Sequence, residues 1–199
     1  MRIRLRRPAP SGGAPADFSS ITCPPSPRRG RWPPRSSPWD RSYRSARVAD
    51  AACEVWFYHM ERSSLEQVLP DLLERTLARS WKALVRTRLP ERLEKLDTHL
   101  WTYRDDSFLA HGLSDEPHAA QQPVLLTTGM ENPNGANVVF LLDGAEAGAL
   151  DGFTRCIVLF DGRDEAALAT ARAQWRAIKA SGLPVSYWKQ MARGWEKQA

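Results

Sequence analysis

Four histidines, three cysteines and one adjacent pair of aspartates are the residues of this 199-residue chain best suited to chemistry. Their spacing argues against catalysis. His59, His99, His111 and His118 form neither HxxxH nor HExxH, the spacings that bring two imidazoles to one helix face for a metal. No metal site is expected. Cys23, Cys53 and Cys156 contain no CxxC pair, and an odd count of this kind suits a reducing cytoplasm better than a disulfide scaffold. Cys156 opens an apolar run and reads as a small buried hydrophobe rather than a nucleophile. Asp105 and Asp106, between Arg104 and Ser107, read as a solvated turn. No GxGxxG or GxxxxGK[ST] frees backbone N–H groups for a phosphate, and the turn His59–Ser64 is bulky. The segment Gly129–Gly135 reads as a polar loop between strands. No catalytic residue and no cofactor is assigned.

The informative residues are aromatic and basic. Trp101-Thr-Tyr-Arg-Asp-Asp-Ser-Phe108-Leu-Ala-His111 closes a helix and runs into a long loop. Trp101 and Phe108 are either core plugs or, with His111, an anchor patch of the kind that dominates protein interfaces. Further on, Arg172, Trp175, Arg176 and Lys179 stand at helical spacing and form one stripe. The stripe is either a solvated basic face or a clamp for an acidic peptide ending in an aromatic residue. Arginine would grip carboxylates and the indole would supply an apolar wall.

These residues must be positioned by the elements around them. Residues 54–59 are β-branched and aromatic, a strand signal. Ser63 and Ser64, followed by Glu66 and Gln67, start a helix whose leucines recur at three-to-four spacing to about Ser80. Pro70 falls within it, and an irregular first turn is expected there. A strand at 82–86, a helix from Pro90, and strands at 122–127, 136–142 and 156–160 follow. A helix over 164–180 closes on Ser181-Gly182, and 184–188 makes a last strand. The order β-α-β-α-β-β-β-α-β implies an α/β fold, a largely parallel sheet flanked by helices, in one domain over 51–199. No apolar run approaches the ~18 residues that span a bilayer, so no membrane association is expected.

The first fifty residues differ in kind. They carry 11 Arg against 3 Asp, a surplus of +8, whereas 51–199 carry 17 Lys+Arg against 20 Asp+Glu, a balance of −3. They also hold 9 of the 15 prolines and no apolar periodicity. Residues 1–50 are therefore expected to be a disordered Arg/Pro/Ser-rich extension, read as a mis-assigned start, a basic nucleic-acid arm or an Arg-rich targeting peptide.

Five segments together carry a family resemblance: Glu54 to Glu74, Leu96 to Trp101, Asp106 to His111, Gln122 to Thr127 and the Arg172-x-x-Trp175-Arg176 helix. The chain resembles the chi subunit of bacterial DNA polymerase III, in its alphaproteobacterial form, from residue 54 to about 189. The resemblance implies a Rossmann-like fold that binds no nucleotide. It implies a non-catalytic cytoplasmic adaptor in DNA replication. Such an adaptor binds the acidic, Phe-terminated tail of single-stranded-DNA-binding protein and pairs with the psi subunit or another clamp-loader component, reaching DNA indirectly. Trp101, Phe108 and His111 would belong to the partner face. Arg172 and Trp175 would line the tail pocket, with Arg176 and Lys179 beside them. Two departures stand out: the aromatic at 175 is elsewhere a Tyr, and Leu168 replaces a Lys one turn before the Arg. The competing reading is a small nucleotide-binding α/β enzyme.

Overall fold

The computed structural model describes residues 52–198; the expected N-terminal extension lies outside the described residues. Eight strands form one sheet in the order β3-β4-β2-β5-β6-β1-β7-β8. They are β1 (Glu54–Met60), β2 (Ala83–Arg86), β3 (His111–Leu113), β4 (Val124–Thr127), β5 (Val138–Leu141), β6 (Arg155–Asp161), β7 (Val185–Met191) and β8 (Gly194–Lys197). Every pairing is parallel except β7 with β8. Three helices complete the fold: α1 (Leu65–Leu77), α2 (Pro90–Thr102) and α3 (Glu165–Ala180). The α/β class, the largely parallel sheet and the flanking helices agree with the sequence.

Side chains alternate across each strand, so each strand feeds two cores. Tyr58, Met60, Val85, Leu126 and Phe140 pack beneath Leu69, Leu73, Leu96 and Leu100 of α1 and α2. Val55, Phe57, Leu84, Leu125, Val139 and Val158 pack beneath Ala171 and Ile178 of α3. A sheet covered on both faces explains why the strands read as continuous apolar runs. Among the described residues no helix is long and apolar enough to cross a membrane.

Two strands escaped the sequence pattern. The loop after α2 contains β3, only three residues long, and one 3₁₀ turn at Ala119–Gln121. The C-terminal Gly194–Lys197 pairs antiparallel with β7 and covers its edge. Neither segment alternates in hydrophobicity over enough residues to signal a strand.

Helix α1 runs unbroken through Pro70, contrary to the irregular turn expected. A proline at 70 cannot donate to the carbonyl of Glu66, four residues back. His99 of α2 makes up the loss: its Nε2 lies 2.8 Å from the Glu66 carbonyl oxygen, which can only accept. The first turn is further held by Gln67, whose Oε1 accepts from the Ser64 N–H at 3.1 Å. Asp164 caps α3 by accepting from the N–H groups of Ala166 at 2.8 Å and Ala167 at 3.3 Å.

Arg86, at the carboxyl end of β2, is buried without a carboxylate. Its guanidinium donates to the carbonyls of Ala147 at 2.9 Å, Met130 at 2.8 Å and Glu146 at 3.3 Å. One side chain thus ties down the loops after β4 and β5. Burial pulls its pKa below the usual arginine range.

The Pro70–His99 arrangement yields a double-mutant test. His99→Phe leaves the Glu66 carbonyl unpaired and should cost about 1–3 kcal/mol in urea unfolding. Adding Pro70→Ala restores an N–H to that carbonyl and should recover part of the loss. Independent, additive effects of the two substitutions would contradict this account.

Candidate peptide-binding site and partner face

Between α3 and the sheet lies a cavity of about 400 Å³. Its floor comes from adjacent strands: Phe57 and His59 of β1, and Phe160 of β6. Tyr187 of β7 forms one side, and α3 supplies Leu168, Arg172, Trp175 and Arg176 on the other. The register explains the grouping, because β1 pairs with β7 so that Phe57 lies opposite Tyr187 and both point to the α3 side. The Trp175 ring meets Phe57 edge-on at 5.2 Å and Tyr187 at 6.0 Å with perpendicular planes. Such T-shaped contacts fix ring positions beyond simple area burial.

Polarity in the cavity is sparse. His59 Nδ1 lies 2.5 Å from the Tyr187 hydroxyl, and its ring stacks on Phe160 at 5.2 Å. Gly162 sits beside it, where a Cβ would clash with His59 Nε2 and force the imidazole to move. Burial lowers the His59 pKa from its ordinary value, opposed in part by Glu61. Burial raises the Tyr187 pKa. The ring pair is therefore neutral at pH 7. Positive charge is confined to the exposed guanidinium groups of Arg172 and Arg176. Neither makes an ion pair among the described residues. The arrangement is an apolar, aromatic socket with two uncommitted cations at its mouth.

Three of the four residues expected on this helix therefore meet at one cavity. Lys179 does not line it; it stands exposed about one turn beyond Trp175 and Arg176. Leu168 does line it and makes that part of the wall apolar. The sequence singles out neither Phe57, Phe160 nor Tyr187, and offers His59 only as a rejected metal ligand. Strand alternation puts 57 and 59 on one face, but that β7 lies next to β1 is written in no local pattern.

Trp101 and Phe108 are 55% and 72% exposed, so neither is a core plug. Their rings lie 5.8 Å apart. His111 is not on the surface beside them. It is buried under Trp101, ring centroids 4.8 Å apart, with Nδ1 2.6 Å from the Leu109 carbonyl and Nε2 3.2 Å from that of Asp97. Its place is to support the Trp101 ring from below. The loop bearing Phe108 is clipped to α1 by Glu74. One oxygen of Glu74 accepts from Tyr103 at 2.7 Å, Ser107 at 2.5 Å and Arg104 at 3.1 Å. These hydrogen bonds, Ser107 foremost, lower the Glu74 pKa.

A second crevice, about 500 Å³, opens at the carboxyl ends of the strands, where parallel α/β folds commonly take nucleotides. Here it is lined by Glu66, Asp143, Asp161 and Asp164. Its arginines are already engaged: Arg92 with Asp143 at 3.2 Å and Glu66 at 3.1 Å, Arg163 with Asp161 at 2.8 Å. A phosphate would meet four carboxylates and no free cation among these residues. Among the described residues no three His, Cys, Asp or Glu side chains gather as a metal-ligand set. Cys53 and Cys156 are free and buried, and burial drives the Cys53 thiol up to about 11.

Comparison with known proteins decides the family. Residues 53–186 match the model of the DNA polymerase III chi subunit, HolC. The chain belongs to that family. A relative named "Probable DNA polymerase III subunit chi", from Rickettsia prowazekii (strain Madrid E), is 29% identical over 85 residues. That match covers 43% of this chain and 52% of the relative, so the chain spans about half the length of the curated relative it matches. A chi-family protein is an accessory subunit of a DNA-replication polymerase complex, and the Trp101/Phe108 face and every lining residue of the α3 cavity but Tyr187 lie within the matched residues.

The exposure of Phe108 gives a direct check. Phe108→Ala should change stability by less than about 1 kcal/mol, as for an exposed surface position. A loss of several kcal/mol in chemical unfolding would instead return Phe108 to the core.

Proposed function

We propose that this chi-family chain is a non-catalytic adaptor that captures the acidic, Phe-terminated tail of single-stranded-DNA-binding protein in the α3 cavity. The observation that carries the proposal is the pairing of an aromatic socket with the unpaired Arg172 and Arg176 at its mouth. The terminal phenyl ring enters the apolar cavity beside Trp175. Arg172 holds the terminal carboxylate through charge-assisted hydrogen bonds, and Arg176 steers the acidic side chains. Lys179, outside the cavity, adds only long-range attraction that salt screens. The exposed Trp101/Phe108 pair serves the other partner, the psi subunit or another clamp-loader component. The adaptor thereby reaches DNA through its coating protein, and it works where bacterial replication takes place, in the cytoplasm. Individually weak contacts become effective because many tails decorate one coated strand. Against the nucleotide-enzyme alternative stands the acidic lining of the crevice at the strand ends.

Titration of a labelled tail peptide tests this. Arg172→Ala should weaken binding by about 1.5–3 kcal/mol, the range for a hydrogen bond to a charged group. Lys179→Ala should cost less and mainly flatten the salt dependence. A peptide lacking its final Phe should lose most of its affinity. Equal affinities of wild type and Arg172→Ala would remove the tail from this cavity.

A further inference from the structure

The face of the sheet opposite the α3 cavity carries a second concentration of rings and cations. Trp56 of β1, Trp188 of β7 and Trp195 of β8, with Trp81 just before β2, are half-buried against the α1 side of the core. They join cations in a continuous ladder. The Arg79 guanidinium lies 5.8 Å from the Trp81 ring, and Arg155 lies 5.6 Å from Trp81 and 3.6 Å over Trp56. Trp56 is 5.6 Å from Trp188, which lies nearly parallel to Tyr58 at 6.2 Å. Tyr58 in turn meets Trp195 edge-on at 4.6 Å. The ladder runs from the C-terminal end of α1 to the outer strand of the sheet.

Charge along it is largely uncommitted. Arg75 in the last turn of α1 and Arg79 in the turn that follows it are exposed, with no ion pair among the described residues. Lys197 of β8 is exposed opposite Trp188 in the strand pairing. Arg155 is the exception, held by Glu54 at 2.9 Å.

We propose that this surface binds single-stranded DNA directly, with unpaired bases stacking on the ring ladder and Arg75, Arg79 and Lys197 taking phosphates. Rings beside free cations are what a single strand requires, because every base has a face to stack and every linkage a charge. A duplex hides its base faces and gains only the electrostatic part. The chain's membership of a replication-polymerase family supplies DNA as the nucleic acid at hand. The two sites lie on opposite faces of the sheet, so a strand held on the α1 side leaves the α3 cavity open.

The test is fluorescence anisotropy of a labelled oligo(dT) with the full chain. Three phosphate contacts on a single strand predict roughly twentyfold weaker binding when salt rises from 50 to 200 mM. Arg75→Glu with Arg79→Glu, both exposed, should weaken oligo(dT) binding at least about tenfold by removing and reversing those contacts. The same double variant should melt like wild type and keep wild-type affinity for the tail peptide. That last arm separates failure here from failure of the α3 proposal. A duplex of equal length should bind at least about tenfold less tightly than the single strand, having no free base faces. Three results would overturn the proposal. They are no binding by wild type, duplex binding as tight as the single strand, or unchanged binding by the double variant. The last would assign binding to the Arg-rich first fifty residues.

Discussion

Both proposed binding surfaces depend on the register of β1 between its parallel neighbours β6 and β7. Val55, Phe57 and His59 face α3, while Trp56, Tyr58 and Met60 face α1. Pairing Phe57 with Tyr187 builds the cavity, and pairing Tyr58 with Trp188 builds the ring ladder. Because the side-chain period in a strand is two, a slip of one residue would exchange the faces and destroy both at once. The antiparallel β8 has a matching part: it shields the edge of β7 and adds Trp195 and Lys197 to the α1 side.

The electrostatic organisation follows from which charges are paired. The chain beyond residue 50 is slightly acidic, and several of its carboxylates are drawn into ion pairs. Glu66 and Asp143 hold Arg92, Glu61 holds Lys189, and Asp161 holds Arg163. Among the cations outside these pairs are Arg172 and Arg176 above one face and Arg75 and Arg79 beside the other. Net charge therefore conceals two local positive surfaces, while the crevice at the strand ends, the customary place for a phosphate, is acidic.

The sequence exposed the long elements because their periods are strong: seven-residue β1 and β6, and the leucine-spaced α1. It also exposed the Arg172–Trp175–Arg176 stripe, since residues three and four apart on a helix must share a face. Tyr187, Phe57 and His59 stayed hidden because they meet through strand adjacency, a long-range fact. Pro70 misled because its compensation, His99, lies on another helix. His111 misled in the opposite way: a polar residue in an aromatic loop suggested a surface, whereas a hydrogen bond to the Leu109 carbonyl allows its burial. Trp101 and Phe108 could be paired from the sequence, but only their exposure separates anchor from plug.

The central claim is that the α3 cavity is where the acidic, Phe-terminated tail binds. Amide chemical-shift mapping of the isotope-labelled chain with the tail peptide tests it most directly. The account predicts perturbations concentrated in α3 around Leu168–Arg176, in β1 near Phe57 and His59, and in β7 at Tyr187. Perturbations centred instead on the Trp101–Phe108 loop or on α1, with α3 silent, would contradict it.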